Sequence, residues 1–304
     1  MKGCPLNCPW CHNPESKSPG RQISYIAEYC INCGACNVVC PITSAANVTT
    51  DRSKSRSSAA RDSDKVNPEI DRNHCTVCGN CVEACPTAAR RLIGEEITPG
   101  QLLARVERDR PFHDQSGGGI TFSGGEPLFQ PRWLIECLMR CRQTQWHTVV
   151  DTCGFAPADL IAEVAPLTDL FLYDLKLVDD GAHRHFTGRS VKPILANLRT
   201  IDSLDIPTWI RIPLIPGVND DRETLDTIGR FISSLSRVNR VHLLPYHQIG
   251  SHKHQRLGQT DQSDQPVAPP DVADKGPGEV GQRLSFESAV KLLNQFELDV
   301  IEGG

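Results

Sequence analysis

The 304-residue chain has no apolar run near the roughly 18 residues that a membrane-crossing helix needs. Its first residues, Met1-Lys2-Gly3-Cys4-Pro5, lack the apolar stretch of a secretory signal. Positive charge is not in excess either: 32 Lys and Arg stand against 37 Asp and Glu, a formal charge of −5. Phosphate binding wants a basic face, so this balance argues against nucleic acid as the principal partner. The one basic run, Arg52-Ser53-Lys54-Ser55-Arg56 continued by Arg61, is Ser- and Ala-rich and has no aromatic residue, the texture of a solvated loop. These absences predict a cytoplasmic protein that works with neither a membrane nor a nucleic acid. The length fits about two domains, and 39% apolar with 23% charged residues is the composition of a folded chain.

Cysteine is what the chain has in quantity. Fourteen are present, eleven of them in three tight groups before residue 86. Thiols in a cytoplasmic chain stay reduced, and disulfide scaffolds do not bunch cysteines two residues apart three times over. Metal ligation is therefore expected. Cys30, Cys33, Cys36 and Cys40-Pro41 have the spacing C-x2-C-x2-C-x3-C-P, and Cys75, Cys78, Cys81 and Cys85-Pro86 repeat it. This is the signature of a bacterial two-cluster ferredoxin module. Three close cysteines hold one cube of iron and sulfide, and the fourth serves the other cube. One 4Fe-4S cluster is thus expected on Cys30, Cys33, Cys36 and Cys85, and another on Cys75, Cys78, Cys81 and Cys40. Gly34 and Gly79 fall where each loop needs a tight turn. Zinc also favours paired cysteines, but four ligands per ion do not call for this rhythm or its repetition.

The first group, Cys4-x3-Cys8-x2-Cys11, supplies three ligands and no nearby fourth. Three thiolates on a cubane leave one iron without a protein ligand, and an open position on a metal centre is where a substrate binds. The amino and carboxylate groups of S-adenosylmethionine are the candidate chelators. An electron passed into the sulfonium would break a carbon–sulfur bond and release a 5′-deoxyadenosyl radical.

Beyond Glu95 the texture changes to alternating strand and helix patterns. Strands are expected at Ile120–Ser123, His147–Asp151, Asp169–Asp174, Thr208–Leu214 and Val238–Leu244. Helices are expected near Pro99–Asp109, Pro131–Gln143, Pro157–Ala165, Val191–Ser203, Asp221–Leu235 and Ser285–Gln295. Such alternation predicts an α/β fold with a parallel sheet, open or curled into a partial barrel, and a ligand site at the carboxyl ends of the strands. Two polar stretches, Ser44 to Asp71 and Gln259 to Gly281, interrupt the pattern. Three parts follow: a cluster loop over 1–20, a ferredoxin-like insert over 21–92, and the rest of the barrel over 93–304.

C-x3-C-x2-C is the motif of the radical S-adenosylmethionine superfamily, which the chain resembles. Further words resemble the activating enzymes of glycyl-radical enzymes. These are Gly3-Cys4-Pro5-Leu6-Asn7-Cys8-Pro9-Trp10-Cys11-His12-Asn13-Pro14-Glu15, Thr121-Phe122-Ser123-Gly124-Gly125-Glu126-Pro127, Asp151-Thr152-Cys153-Gly154, Asp174-Leu175-Lys176 and Leu243-Leu244-Pro245-Tyr246-His247. The resemblance implies a partial (β/α)6 barrel with an inserted α+β ferredoxin-like domain and three 4Fe-4S clusters. Cys4, Cys8 and Cys11 would hold the catalytic one. Contacts to S-adenosylmethionine would come from Trp10, Cys11, His12, Gly124, Gly125, Glu126, Asp174, Leu175, Lys176, Arg211 and His247. In this reading Glu126 accepts a hydrogen bond from the ammonium, and Trp10 lies against the adenine. Asp151, Thr152 and Asp174 would hold a monovalent cation.

The implied reaction stores a radical on a backbone glycine of a large glycyl-radical enzyme, in that partner's C-terminal glycine loop. Electrons would come from a flavodoxin- or ferredoxin-type donor. Family members have a β-strand before the first cysteine, whereas this chain begins three residues before Cys4, so a sheet lacking its first strand is expected. Two other readings compete: a different radical S-adenosylmethionine maturase with auxiliary clusters, and an iron–sulfur electron carrier. Cys137 and Cys141, four residues apart on one helix, read as small apolar core residues, and Cys153 as packing.

Overall fold

The computed structural model describes residues 1–42, 70–238, 240–248, 250–259 and 283–303. The basic run, and nearly all of both polar stretches, lie outside the described residues. The chain divides into two compact units. One comprises Gly20–Glu95 with Ser251–Asp261, and the other Met1–Pro19, Glu96–Gly250 and Gln262–Gly304. No helix among the described residues is long and apolar enough to cross a membrane.

The smaller unit is framed by an antiparallel pair, β1 (Gln22–Tyr25) and β2 (Arg90–Ile93), in register from Gln22 opposite Ile93 to Tyr25 opposite Arg90. Between them the sequence repeat becomes a repeat of backbone shape. Asn32 and Gly34 take positive φ in the first loop, and Val77 and Gly79 do so in the second. Each glycine leads directly into a four-residue helix, α1 (Ala35–Val38) or α2 (Asn80–Glu83). Left-handed backbone is costly for a β-branched residue such as Val77, so the loop around it is over-determined by its surroundings. The helix Ser251–Arg256 joins this unit rather than the barrel region to which the sequence assigns it. Arg72 is the tie: its guanidinium donates to the carbonyls of Ile23 (2.9 Å) and Arg256 (3.1 Å).

The larger unit is a six-stranded parallel sheet in sequential order, β3 to β8, an α/β partial barrel. Its strands are β3 (Ile120–Phe122), β4 (Thr148–Thr152), β5 (Leu170–Asp174), β6 (Thr208–Leu214), β7 (Arg240–Pro245) and β8 (Asp299–Glu302). Helices α3 (Pro99–Val106) and α4 (Arg110–Ser116) precede β3. The crossovers carry α5 (Pro131–Gln143), α6 (Ala158–Val164), α7 (Asp180–Thr187), α8 (Lys192–Ser203) and α9 (Arg222–Ser233), and Phe286–Asn294 leads into β8. Apolar residues three and four apart line one face of each main helix: Leu134 and Leu138, Ile161 and Val164, Ile194, Leu198 and Ile201, Leu225, Ile228 and Ile232. They pack on Val150, Phe171, Tyr173, Ile210, Ile212, Val241 and Leu243 of the sheet. Cys137 and Cys141 lie in this core with no exposed surface.

The other sheet face follows from the period of two. Along β6, Thr208, Ile210, Ile212 and Leu214 turn to the helices, which leaves Trp209, Arg211 and Pro213 half-buried on the opposite side. All five expected strands and six expected helices form. Missed were α4, α7 and β8. Between its ends α7 carries Gly181, Arg184 and two histidines, with only Ala182 and Phe186 apolar, too little stripe to read as a helix. Its start is fixed instead by Asp179, whose carboxylate accepts from the Ala182 N–H.

Candidate active site

The loop carrying Cys4, Cys8 and Cys11 is held on the larger unit by backbone groups. Gly125 N–H donates to the Met1 carbonyl and Glu126 N–H to the Gly3 carbonyl, both at 2.8 Å. Asn7 N–H donates to the Thr187 carbonyl (2.8 Å), and the Arg189 guanidinium to that of Pro5 (3.1 Å). A Cβ on Gly124 would strike the Met1 backbone, and one on Gly125 would meet Gly3 and, at 2.5 Å, the carbonyl oxygen of Ser16. The Gly-Gly pair thus admits a close approach, and in this chain it is the cluster loop that approaches. Leu6, Cys8 and Trp10 face inward and pack with Cys153, Leu177, Phe186, Ile215 and Val218. Burial pushes the Cys8 thiol up to about 12 and raises that of Cys11 as well. Thiols so placed lose their protons to a metal rather than to water.

Four charged side chains meet at the carboxyl ends of β4, β5 and β6. Asp174 and Arg211 are register partners, with Arg211 Nε 3.3 Å from Asp174 Oδ1. Arg211 Nη1 lies 3.0 Å from Asp151 Oδ2, which also accepts from the Ser123 hydroxyl at 2.7 Å. The Lys176 ammonium donates to Asp174 Oδ2 at 3.1 Å. Burial alone would lower Lys176, but Asp174 and the thiols of Cys8 and Cys153 outweigh it and hold the amine above its usual range. Asp151 is raised, by burial first and by the adjacent Asp174 second, against the pull of Arg211. Asp174 Oδ1 and Arg211 Nε are shielded from solvent and, although close, make no hydrogen bond. Two cations and two carboxylates gathered at one end of the sheet suit a zwitterionic ligand such as an amino acid head group.

Glu126 does not face that ligand position. It has no exposed surface, and its carboxylate accepts from the Thr152 hydroxyl (2.6 Å), the Leu128 N–H (3.0 Å) and the Cys153 N–H (2.8 Å). Three of its acceptor positions are thus turned inward, onto Leu128 and the Thr152–Cys153 turn. The Thr152 hydroxyl is likewise engaged, donating to Glu126 and accepting from Gly154 N–H at 2.9 Å. Burial raises the Glu126 carboxyl, with the hydrogen bonds from Cys153, Thr152 and Leu128 opposing. Glu126→Ala would leave three buried donors without an acceptor, and a loss of at least about 3 kcal/mol is expected in urea unfolding. A cost under 1 kcal/mol would show that water replaces the carboxylate.

Trp10 is 8% exposed and packs on Phe186, ring centroids 5.9 Å apart, so packing rather than an open stacking face is its role in this structure. His12 stacks on His247 at 4.2 Å and 19°, and its Nε2 lies 3.0 Å from the His247 carbonyl. Leu175 has its side chain in the core and its N–H on the Arg211 carbonyl.

In the smaller unit, one cavity is lined by Cys30, Cys33, Cys36 and Cys85, together with Tyr25 and Arg90. A second is lined by Cys36, Cys40, Cys75, Cys78 and Cys81. The first cavity takes three thiols from one repeat and a fourth from the other, and the second takes three from the later repeat and two, Cys36 and Cys40, from the earlier. Such soft sulfur donors suit iron–sulfur clusters.

A profile for the Radical SAM superfamily matches residues 72–228, and one for a 4Fe-4S dicluster domain matches residues 26–89. The isethionate sulfite-lyase activating enzyme of Desulfovibrio desulfuricans is 37% identical over 264 residues, 85% of this chain and 80% of its own. The trans-4-hydroxy-L-proline dehydratase activating enzyme of Clostridioides difficile is also 37% identical, over 84% of this chain and 80% of its own. The choline trimethylamine-lyase activating enzyme of Oleidesulfovibrio alaskensis is 36% identical over 85% and 80%. The chain belongs to the radical SAM activating enzymes of glycyl-radical enzymes.

As a member of that family it uses iron–sulfur chemistry and S-adenosylmethionine. Several residues that shape the site escaped the sequence reading. Asn219 clamps the segment after β5: its amide donates to the carbonyls of Lys176 (3.0 Å) and Pro213 (2.8 Å), and its oxygen accepts from Ile215 N–H (2.7 Å). Asn197 does the same for the turn after β4, donating to the carbonyls of Gly154 and Ala156. Neither stands in a motif. Asn197 stands out only as an amide among apolar residues, and Asn219, beside Asp220 and Asp221, does not stand out at all.

Proposed function

We propose that Cys4, Cys8 and Cys11 hold a 4Fe-4S cluster with one iron free of protein ligands, and that S-adenosylmethionine binds it through its amino and carboxylate groups. The observation that carries this is a three-thiol loop packed against the strand end that bears the Asp151, Asp174, Lys176 and Arg211 charge cluster. When bound, the cluster supplies one electron at low potential to the sulfonium. Arg211 and Lys176 orient the carboxylate, Asp174 takes the ammonium, and the stacked His12 and His247 flank the nucleoside side. Asp151, Thr152 and Asp174 supply the hard oxygens for a monovalent cation. Leu6 and Trp10 close the loop against solvent.

The insert over residues 21–92 acts as a ferredoxin-like domain with two further clusters, one on Cys30, Cys33, Cys36 and Cys85, the other on Cys75, Cys78, Cys81 and Cys40. The substrate is another protein, a large glycyl-radical enzyme presenting a backbone glycine, and a flavodoxin- or ferredoxin-type protein supplies the electrons. Three such clusters require about twelve irons per chain. Anaerobic reduction with S-adenosylmethionine should yield 5′-deoxyadenosine and methionine, and mixing with the partner should add a glycyl-radical signal in electron paramagnetic resonance. A fully loaded protein that makes no 5′-deoxyadenosine is an electron carrier instead.

A further inference from the structure

Arg90 stands outside all three cysteine motifs, yet it is only 6% exposed. It opens β2, and the alternation of the strand turns it inward while Arg91 faces solvent. Pairing with β1 fixes its place. Tyr25 is its register partner, and the Arg90 guanidinium carbon lies 5.6 Å from the centre of the Tyr25 ring. The face of an aromatic ring holds a cation at such a distance. Arg90 lines the cavity of Cys30, Cys33, Cys36 and Cys85, and it also lines the cavity of Cys75, Cys78 and Cys81. Among the described residues only Cys36 does the same. Burying a guanidinium is costly away from anions, and this one is buried where two groups of thiols gather.

We propose that Arg90 is a cation shared by the two ferredoxin-type clusters, its guanidinium placed so that it favours an added electron on each. This rests on the reading that the eight cysteines of the repeat hold two 4Fe-4S clusters. A cubane held by four thiolates is an anion and gains a further negative charge on reduction, so a neighbouring cation stabilises the reduced form more than the oxidised. Net charge is among the factors that set cluster potentials. Arginine keeps its charge at every pH at which the protein is folded, so the bias is permanent. One side chain lining both cavities must act on both clusters together.

The test is a potentiometric titration of the full-length, anaerobically reconstituted protein, followed by electron paramagnetic resonance. The open-site cluster is identified by the change in its signal when S-adenosylmethionine is added, and the two other clusters are then followed. At a fixed applied potential, Arg90→Gln is expected to lower the reduced-to-oxidised ratio of both about tenfold, equal to about 59 mV for a one-electron couple. Arg90→Lys keeps the charge and should stay within about threefold of the native ratio. Water admitted in place of the side chain would favour the reduced form, so a merely structural loss moves the ratio the other way. Unchanged ratios in Arg90→Gln, a rise, or a fall confined to one cluster each overturn the proposal. So does an Arg90→Lys shift as large as that of glutamine. If Arg90→Gln fails to load, the uncharged Arg90→Met takes its place, and failure of both overturns the proposal in favour of a structural cation. A native protein whose only cluster signal is the one responsive to S-adenosylmethionine removes the two-cluster reading itself, and the proposal with it.

Discussion

A chain with Cys4, Cys8 and Cys11 all replaced by serine is expected to form 5′-deoxyadenosine at a rate at least about 1000-fold below the native protein. The size of the effect follows from the position of these residues. Removing a group that merely orients a metal ligand costs about 10- to 100-fold, so removing the ligands must cost more. The loss should be selective. The eight remaining motif cysteines line cavities in the other compact unit, so about eight irons should stay bound. Iron analysis together with product chromatography checks both halves. Activity within tenfold of native would place the reaction on a ferredoxin-type cluster and remove the proposed role of the first loop.

The second large effect concerns stability. Gly154→Ala is expected to cost about 3–5 kcal/mol in denaturant unfolding. Gly154 has φ +70°, and a Cβ there would collide with the Tyr173 hydroxyl. That hydroxyl cannot retreat. Tyr173 has no exposed surface, and its OH donates to the Ile194 carbonyl at 2.7 Å. The glycine cannot move either, because Asn197 holds its carbonyl. Left-handed backbone and overpacking therefore add to a lost buried hydrogen bond. Combining Gly154→Ala with Tyr173→Leu, which removes the hydroxyl and the ring atoms that a Cβ would strike, opens room for the methyl group and should return about 1–2 kcal/mol of coupling. A single-variant cost below 1 kcal/mol would mean that the turn after β4 is looser than its hydrogen bonds imply.

Cysteine spacing was legible because ligands of one cluster sit close together in the chain. The strand-end words Asp151-Thr152 and Asp174-Leu175-Lys176 were legible for a related reason, since parallel βα units put their polar residues at one end of the sheet. What escaped was the direction of side chains within those words. Glu126 carries a motif's charge but turns it onto a turn 26 residues away, a choice made by packing. Trp10 packs on Phe186, which sits on a helix the pattern did not reveal. Asn197 and Asn219 act through backbone carbonyls 41 to 43 residues distant, and no local spacing encodes that.

The grip on the first loop sets an order for biogenesis. Cys4, Cys8 and Cys11 leave the ribosome well before the groups that seat their loop: Gly125 and Glu126 after β3, Thr187 and Arg189 after β5. Until Thr187 and Arg189 have been made, those three thiols have no complete receptacle. They stay open to oxidation or to the wrong ion for that interval. The eight other motif cysteines have a frame complete by Ile93, when β2 closes on β1. Loading by the cell's iron–sulfur assembly machinery is thus expected to finish at the Cys4–Cys11 loop, although these cysteines precede the others in the chain.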